Sequence, residues 1–149
     1  LVGVDGIIEE LKAKAASMKL TNVHFVGFVD EEDKVALLQL CVGFIFPSHL
    51  RSEAFGISLL EGAMAGKPLV SSEIGTGTSF INIANETGLV INPGSASDLR
   101  EAMQFLLDNP NDAVRMGKNA KKRALKLFTA SRQAENYVEL YNKLLAKNK

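Results

Sequence analysis

The chain has 149 residues, of which 46% are apolar and 23% charged, and its 17 basic side chains balance 17 acidic ones. This is the composition of a globular domain large enough to bury a core, and a net charge of zero excludes a global basic field aimed at nucleic acid or acidic lipid. The single cysteine, Cys41, excludes an internal disulfide and makes a reducing compartment the default, and no apolar run reaches the roughly 18 residues of a membrane-spanning helix.

In chain order, LVGV (1–4) reads as a strand already under way, with no initiator Met and no charged-then-apolar leader before it. The expectation is a piece of a longer protein. A helix follows over 7–20, then a strand over NVHFVGF (22–28) and a helix over 30–41 opened by acidic residues that suit its N-terminal dipole. GFIFP (43–47) is a short strand stopped by proline. The loop SHLRSEAF leads into the helix GISLLEGAMAG, and PLVSS is the next strand. IGTGTS forms a loop before a short turn or helix, and GLVINP (88–93) is another strand. From Ser95 the pattern is helical, with Leu99, Met103, Leu106 and Leu107 as the apolar stripe, a break at Asn109-Pro110, a basic helix to about Phe128, and a closing helix from Ser131. Basic residues at 118–126 read as a solvated helix face rather than a nucleic-acid patch.

Strands alternating with helices predict βαβ crossovers and an α/β fold, a doubly wound parallel sheet covered on both faces, with a helical C-terminal segment. In such sheets ligands bind beyond the carboxyl ends of the strands. That rule selects 27–34, 47–57 and 71–79. Gly56, at a predicted helix start, lets backbone approach an anion at the positive end of the helix, or it merely opens the helix. Glu61 shares a stripe with Ile57 and Met64, and Glu53 stands on the other side of the turn. Each carboxylate alone fits a solvated group paired with Arg51 or Lys67. The pair around a phosphate-ready turn fits a ligand, because a carboxylate only accepts hydrogen bonds and sugar hydroxyls donate them. The 72–79 loop has neither G-x-G-x-x-G nor a P-loop lysine, so neither nucleotide fingerprint applies. His24 reads as structural, His49 as a contact at most, and Cys41 as core.

The run VHFVGFVDEEDKVALLQLCVGFIFPS with EAFGISLLEGAMAGKPLVSS resembles the C-terminal, donor-binding half of retaining glycosyltransferases of the GT-B fold, family 4 (group 1). The E-x7-E spacing is met by Glu53 and Glu61, and the likeness continues through Pro47-Ser48, Gly66-Lys67-Pro68 and TGLVINPGS. The resemblance implies a Rossmann-like nucleotide-sugar-binding domain over 1–149, whose helix from 131 packs toward an N-terminal domain outside this sequence. It implies that Glu53 meets hydroxyls of the transferred sugar and Glu61 the ribose, both binding and orienting at the catalytic centre. Ser48, Phe55, Gly56 and Ile57 would contact sugar and diphosphate, and Phe28, Val29 and Lys34 would lie by the base. No metal and no cofactor are implied; the nucleotide-sugar is a substrate.

Gly-Thr-Gly-Thr where the family often has Gly-Gly resembles bacterial polysaccharide transferases that use GDP-mannose or similar donors. The resemblance therefore implies transfer of a hexose to a growing glycan or lipid-linked acceptor, in the cytoplasm, with the whole enzyme peripheral to the membrane's cytoplasmic face. The alternative is a non-catalytic nucleotide-sugar-binding module or one subunit of a split transferase. The family's diphosphate-neutralising arginine and lysine fall upstream of Leu1, so these residues alone are expected not to transfer sugar. A signalling receiver domain shares the alternation of elements but needs an acidic residue after its central strand, where this chain has Pro47-Ser48.

Overall fold

The computed structural model describes residues 8–147; the LVGV strand and its Asp5-Gly6 turn lie outside the described residues. The chain divides into two compact units, Leu1–Leu37 and Leu38–Lys149. Helix α1 (Ile8–Ser17) carries Glu9 and Glu10 in its first turn and Lys14 in its last, which complements the helix dipole. Helix α2 (Glu31–Leu40) begins where the Asp30 carboxylate accepts the Asp33 N–H at 2.8 Å, so the acidic opening read from the sequence is a true cap. The strand expected over 22–28 is reduced to one bridging residue, Gly27, in otherwise irregular chain. An apolar run becomes a strand only where a neighbouring edge completes its hydrogen bonds, and no described strand pairs with it.

The second unit is built on a three-stranded parallel sheet in the order β1 (Phe44–Phe46), β2 (Leu69–Ser72), β3 (Gly88–Ile91). Ile45 lies beside Val70, and Val70 beside Leu89. Parallel neighbours need a crossover, and the sequence supplies helices: α3 (Ile57–Met64) between β1 and β2, and α4 (Thr78–Ile81) between β2 and β3. Helices α5 (Ala96–Asp108), α6 (Pro110–Leu127) and α7 (Ala130–Lys147) follow.

Every residue of β2 is buried, as a strand covered on both faces requires. Leu69 packs with Leu59 and Ala63 of α3, Ile81, and Ala120 and Ala124 of α6. Val70 faces the opposite way and packs with Ile91, Ala102, Leu106, Ala113 and Met116. Helix α6 thus contributes its first half to one layer and its second half to the other. The sheet is doubly wound, as the alternation predicted.

The α5 stripe differs from the expected one. Ala102 and Leu106 are buried and Leu99 is half-buried, whereas Met103 is 45% and Leu107 62% exposed. The close approach of helix to sheet selects the line through small Ala102 over the bulkier line beside it. Ser95 caps this helix by accepting the Asp98 N–H, and Pro110 occupies the first turn of α6, where its missing N–H costs nothing.

Beneath the carboxyl end of β2 sits a closed polar network. Asn82 donates to Ser71 Oγ and to the Leu89 carbonyl, each at 2.9 Å, and accepts from Thr87 Oγ1 at 2.9 Å. Buried polar groups persist in a core only when they are paired in this way. The network ties α4 to β2 and β3, and so fixes the loop that precedes α4.

Candidate functional site

Two strand-to-helix loops meet at the carboxyl ends of the strands. The first runs from Pro47 to Gly56, after β1. Gly56, the residue before α3, has φ +87° and ψ +60°. An L side chain is strained at that φ, and a Cβ there would stand 3.0 Å from Leu59 Cδ1 and 3.3 Å from Thr78 Cγ2. The glycine read from the sequence as a helix opener is therefore held by conformation and by crowding together.

The second loop runs from Glu73 to Gly77, after β2. The Gly77 N–H donates to the Ala54 carbonyl at 2.9 Å. A Cβ on Gly77 would lie 2.6 Å from Phe55 Cδ2 and 3.0 Å from the Ala54 oxygen. The two loops pack backbone to backbone, and only glycine permits the approach.

Each loop is closed on itself by a glutamate. Glu53 Oε1 accepts the Gly56 N–H at 2.8 Å and lies 3.4 Å from the Phe55 nitrogen. Glu73 Oε1 accepts the Gly75 N–H at 3.0 Å and the Ser79 hydroxyl at 2.7 Å. The Ser79 hydroxyl first, and the Gly75 N–H second, hold the Glu73 carboxyl below the ordinary glutamate range. The signal for this parallel is in the sequence, since both glutamates sit shortly before a glycine (E-A-F-G and E-I-G). Reading the chain for ligand contacts alone overlooks it. It also narrows the chemistry of the second loop, whose Gly75 N–H, with the Ser79 hydroxyl beside it, is already engaged by the loop's own carboxylate.

Helix α3 separates its faces clearly. Leu59, Gly62 and Ala63 are buried, while Ile57 is 71% and Met64 44% exposed. Half-buried Glu61 therefore stands on the outward stripe, one turn below the helix start, and Ile57 opens that stripe. The first-turn N–H groups of such a helix form its positive end. Phe55 turns its ring the other way, edge-on to Phe128 at 5.9 Å between centroids, and leaves its backbone at the turn.

Half-buried Ser48 and exposed His49 lie on the same first loop. The Arg51 guanidinium comes against Gly75, with Nη1 3.1 Å from the position a Cβ would take there. Lys67 donates to the Gln39 carbonyl at 2.7 Å. At the end of β2, Ser72 Oγ is buried with no hydrogen-bond partner among the described residues. Ser48, Glu53, Phe55, Gly56, Ile57 and Glu61 thus share one unit and one end of its sheet.

Phe28, Val29 and Lys34 belong to the first unit. Phe28 is 83% exposed, and Lys34 pairs with Glu31 at 2.8 Å. Cys41 is half-buried, donates to the Leu38 carbonyl, and has its thiol pushed above the ordinary value by burial. A thiol so placed behaves as core. Among the described residues, no three His, Cys, Asp or Glu side chains are grouped to hold a metal ion, and no helix is long and apolar enough to cross a membrane.

A doubly wound parallel sheet with a glycine-opened helix at its carboxyl edge is the architecture of Rossmann-like ligand-binding domains. The chain belongs to the glycosyl transferases group 1 family, whose model matches residues 2–123. It is 61% identical over 130 residues to D-rhamnosyltransferase WbpZ of Pseudomonas aeruginosa, covering 87% of this chain and 34% of that protein. It is 48% identical over 145 residues to O-antigen chain mannosyltransferase C of Escherichia coli, covering 97% of this chain and 39% of that one. Among solved structures, sucrose-phosphate synthase from Thermosynechococcus elongatus superposes with a TM-score of 0.84 at 29% identity, over 99% of this chain and 38% of the other. The chain therefore spans between a third and two fifths of the curated relatives it matches.

Proposed function

We propose that this chain is the donor-binding part of a retaining hexosyltransferase that takes a sugar from a nucleoside diphosphate and passes it to a growing glycan or lipid-linked acceptor in polysaccharide synthesis. The observation that carries the reading is the placement of Glu53 and Glu61 on either side of left-handed Gly56 at the positive end of α3. Family membership supports the reaction class. The rhamnosyl- and mannosyltransferase names of the two relatives support a deoxyhexose or hexose donor, with GDP-mannose as the first to test.

The diphosphate sits at the start of α3, where left-handed Gly56 sets the turn into the helix and the first-turn N–H groups offer hydrogen bonds. Glu61, on the exposed stripe, accepts from the ribose hydroxyls. Glu53 keeps one oxygen on the Gly56 N–H and turns the other to hydroxyls of the sugar, so the group that shapes the turn also orients the ligand. Both carboxylates bind and orient; neither acts as a nucleophile, and no cofactor is needed. The acceptor site and the cations that neutralise the leaving diphosphate belong to a further domain, toward which the exposed apolar face of α7 (Tyr137, Leu140, Tyr141, Leu144) packs. The whole enzyme works in the cytoplasm.

Calorimetric titration of the chain with GDP, UDP and ADP tests the reading. Glu61→Ala is expected to weaken the preferred nucleotide by about 1–3 kcal/mol, the cost of losing charged hydrogen bonds. Equal affinity of variant and parent would remove Glu61 from the site, and no binding of any nucleotide would remove the site itself.

A further inference from the structure

We infer that the outward face of α6 is a docking surface for an anionic phospholipid bilayer. From Ala113 to Ala134 the sequence holds seven basic residues and no acidic one, in a chain whose total charge is zero. The seventh, Arg132, lies on α7 and pairs with Glu135, and the fold sorts the six cations of α6 into two groups. Arg115 is turned to the Asp112 carboxylate at 2.8 Å and to the Asn85 carbonyl, while Arg123 donates to the Phe80 carbonyl and lies 5.1 Å over the Phe80 ring. Both arginines serve the fold. Lys118, Lys121, Lys122 and Lys126 are all exposed, and none is in an ion pair among the described residues.

At helical spacing these four lysines share one face, opposite the buried line of Ala113, Met116, Ala120 and Ala124. Two apolar side chains stand among them, Val114 at 56% and Leu125 at 48% exposure. Lysines around exposed aliphatic side chains on the open face of a helix match the charge and the shallow apolar layer of an acidic lipid surface. A nucleic acid would favour arginine forks and aromatic stacking, and this face has neither: its arginines are turned aside, and no aromatic residue stands between Val114 and Leu125. The proposal is independent of the donor site, since it places no residue of α3 or the two loops at the membrane.

Co-sedimentation of the purified chain with vesicles tests it. Phosphatidylcholine vesicles with phosphatidylglycerol as a third of the lipid should retain the chain at low salt, and pure phosphatidylcholine should not. Each lysine is worth roughly fivefold at such a surface. The variant K118Q/K121Q/K122Q/K126Q is therefore expected to bind roughly 600-fold less, with its circular dichroism and Tm unchanged because all four side chains are exposed. Leu125→Ser should leave binding at low salt and lose the part that survives high salt, where the charge term is screened. A matched variant away from the face, Lys12→Gln with Lys14→Gln, should bind within about twofold of the parent. Equal loss in that control, no discrimination between the two lipid mixtures, or retention by duplex or single-stranded DNA in place of the acidic vesicles would each overturn the proposal.

Discussion

The bond from the Gly56 N–H to Glu53 makes a quantitative prediction that separates holding the loop from holding a ligand. Gly56 is buried, and its N–H points to Glu53 Oε1 at 2.8 Å. Glu53→Ala leaves that donor without its partner at a partly wet loop, which costs about 1–2 kcal/mol, the lower part of the range for an unsatisfied buried donor. For a chain of this length each kcal/mol moves Tm by about 2–4 °C, so the expected fall is about 2–8 °C. Glu53→Gln keeps an oxygen acceptor in the same place and gives up only the charge assistance, so its loss should stay under about 1 kcal/mol. Thermal unfolding of the three proteins by circular dichroism reads both values. The same samples titrated with a nucleotide-sugar and with its bare nucleoside diphosphate read the second role. If the other carboxylate oxygen meets the sugar, Glu53→Gln lowers affinity for the nucleotide-sugar and leaves the diphosphate unaffected. A Glu53→Ala protein with the parent's Tm would refute the structural half of the reasoning, and equal losses for both ligands would refute the other.

Three further outcomes follow from the packing and the titration. Gly117→Ala should destabilise the chain by at least about 1 kcal/mol even though alanine favours helix by a similar amount. The new Cβ would lie 2.1 Å from the Gly66 carbonyl oxygen, a backbone atom that cannot rotate aside, and an unchanged or raised Tm would show that α6 slides instead. Asn82→Ala removes three hydrogen bonds from a nearly inaccessible site and should cost about 3 kcal/mol, read as a lower urea midpoint at unchanged slope. Glu73 titrates below an ordinary glutamate because of Ser79 and Gly75, so what stability it contributes is present above the ordinary glutamate pKa and lost as pH falls through its own lower value. Carbon-detected NMR of Ser79→Ala should move the Glu73 midpoint upward, and an unmoved midpoint would remove Ser79 as the cause.

The sequence by itself determined the order of elements in the second unit, because hydrophobic period, caps and breakers are local. Phe44–Phe46, Leu69–Ser72 and Gly88–Ile91 are strands where short apolar runs between turn residues predicted them, Ser95 caps the helix expected to begin there, and the expected break at Asn109-Pro110 separates α5 from α6. The Glu53–Gly56–Glu61 constellation was legible for the same reason, being held within one loop and one helix. Tertiary structure decided what depends on a partner distant in sequence. The run at 22–28 forms no ladder among the described residues, since a strand exists only with a neighbour. The buried line of α5 passes through Ala102 and not Met103, because the sheet sets how near the helix can come. The contact of Gly77 with Ala54, and the parallel closing of both loops by Glu53 and Glu73, join segments whose meeting only the folded chain could settle. Local chemistry wrote the parts of the site, and the close packing of two loops at one end of a sheet assembled them.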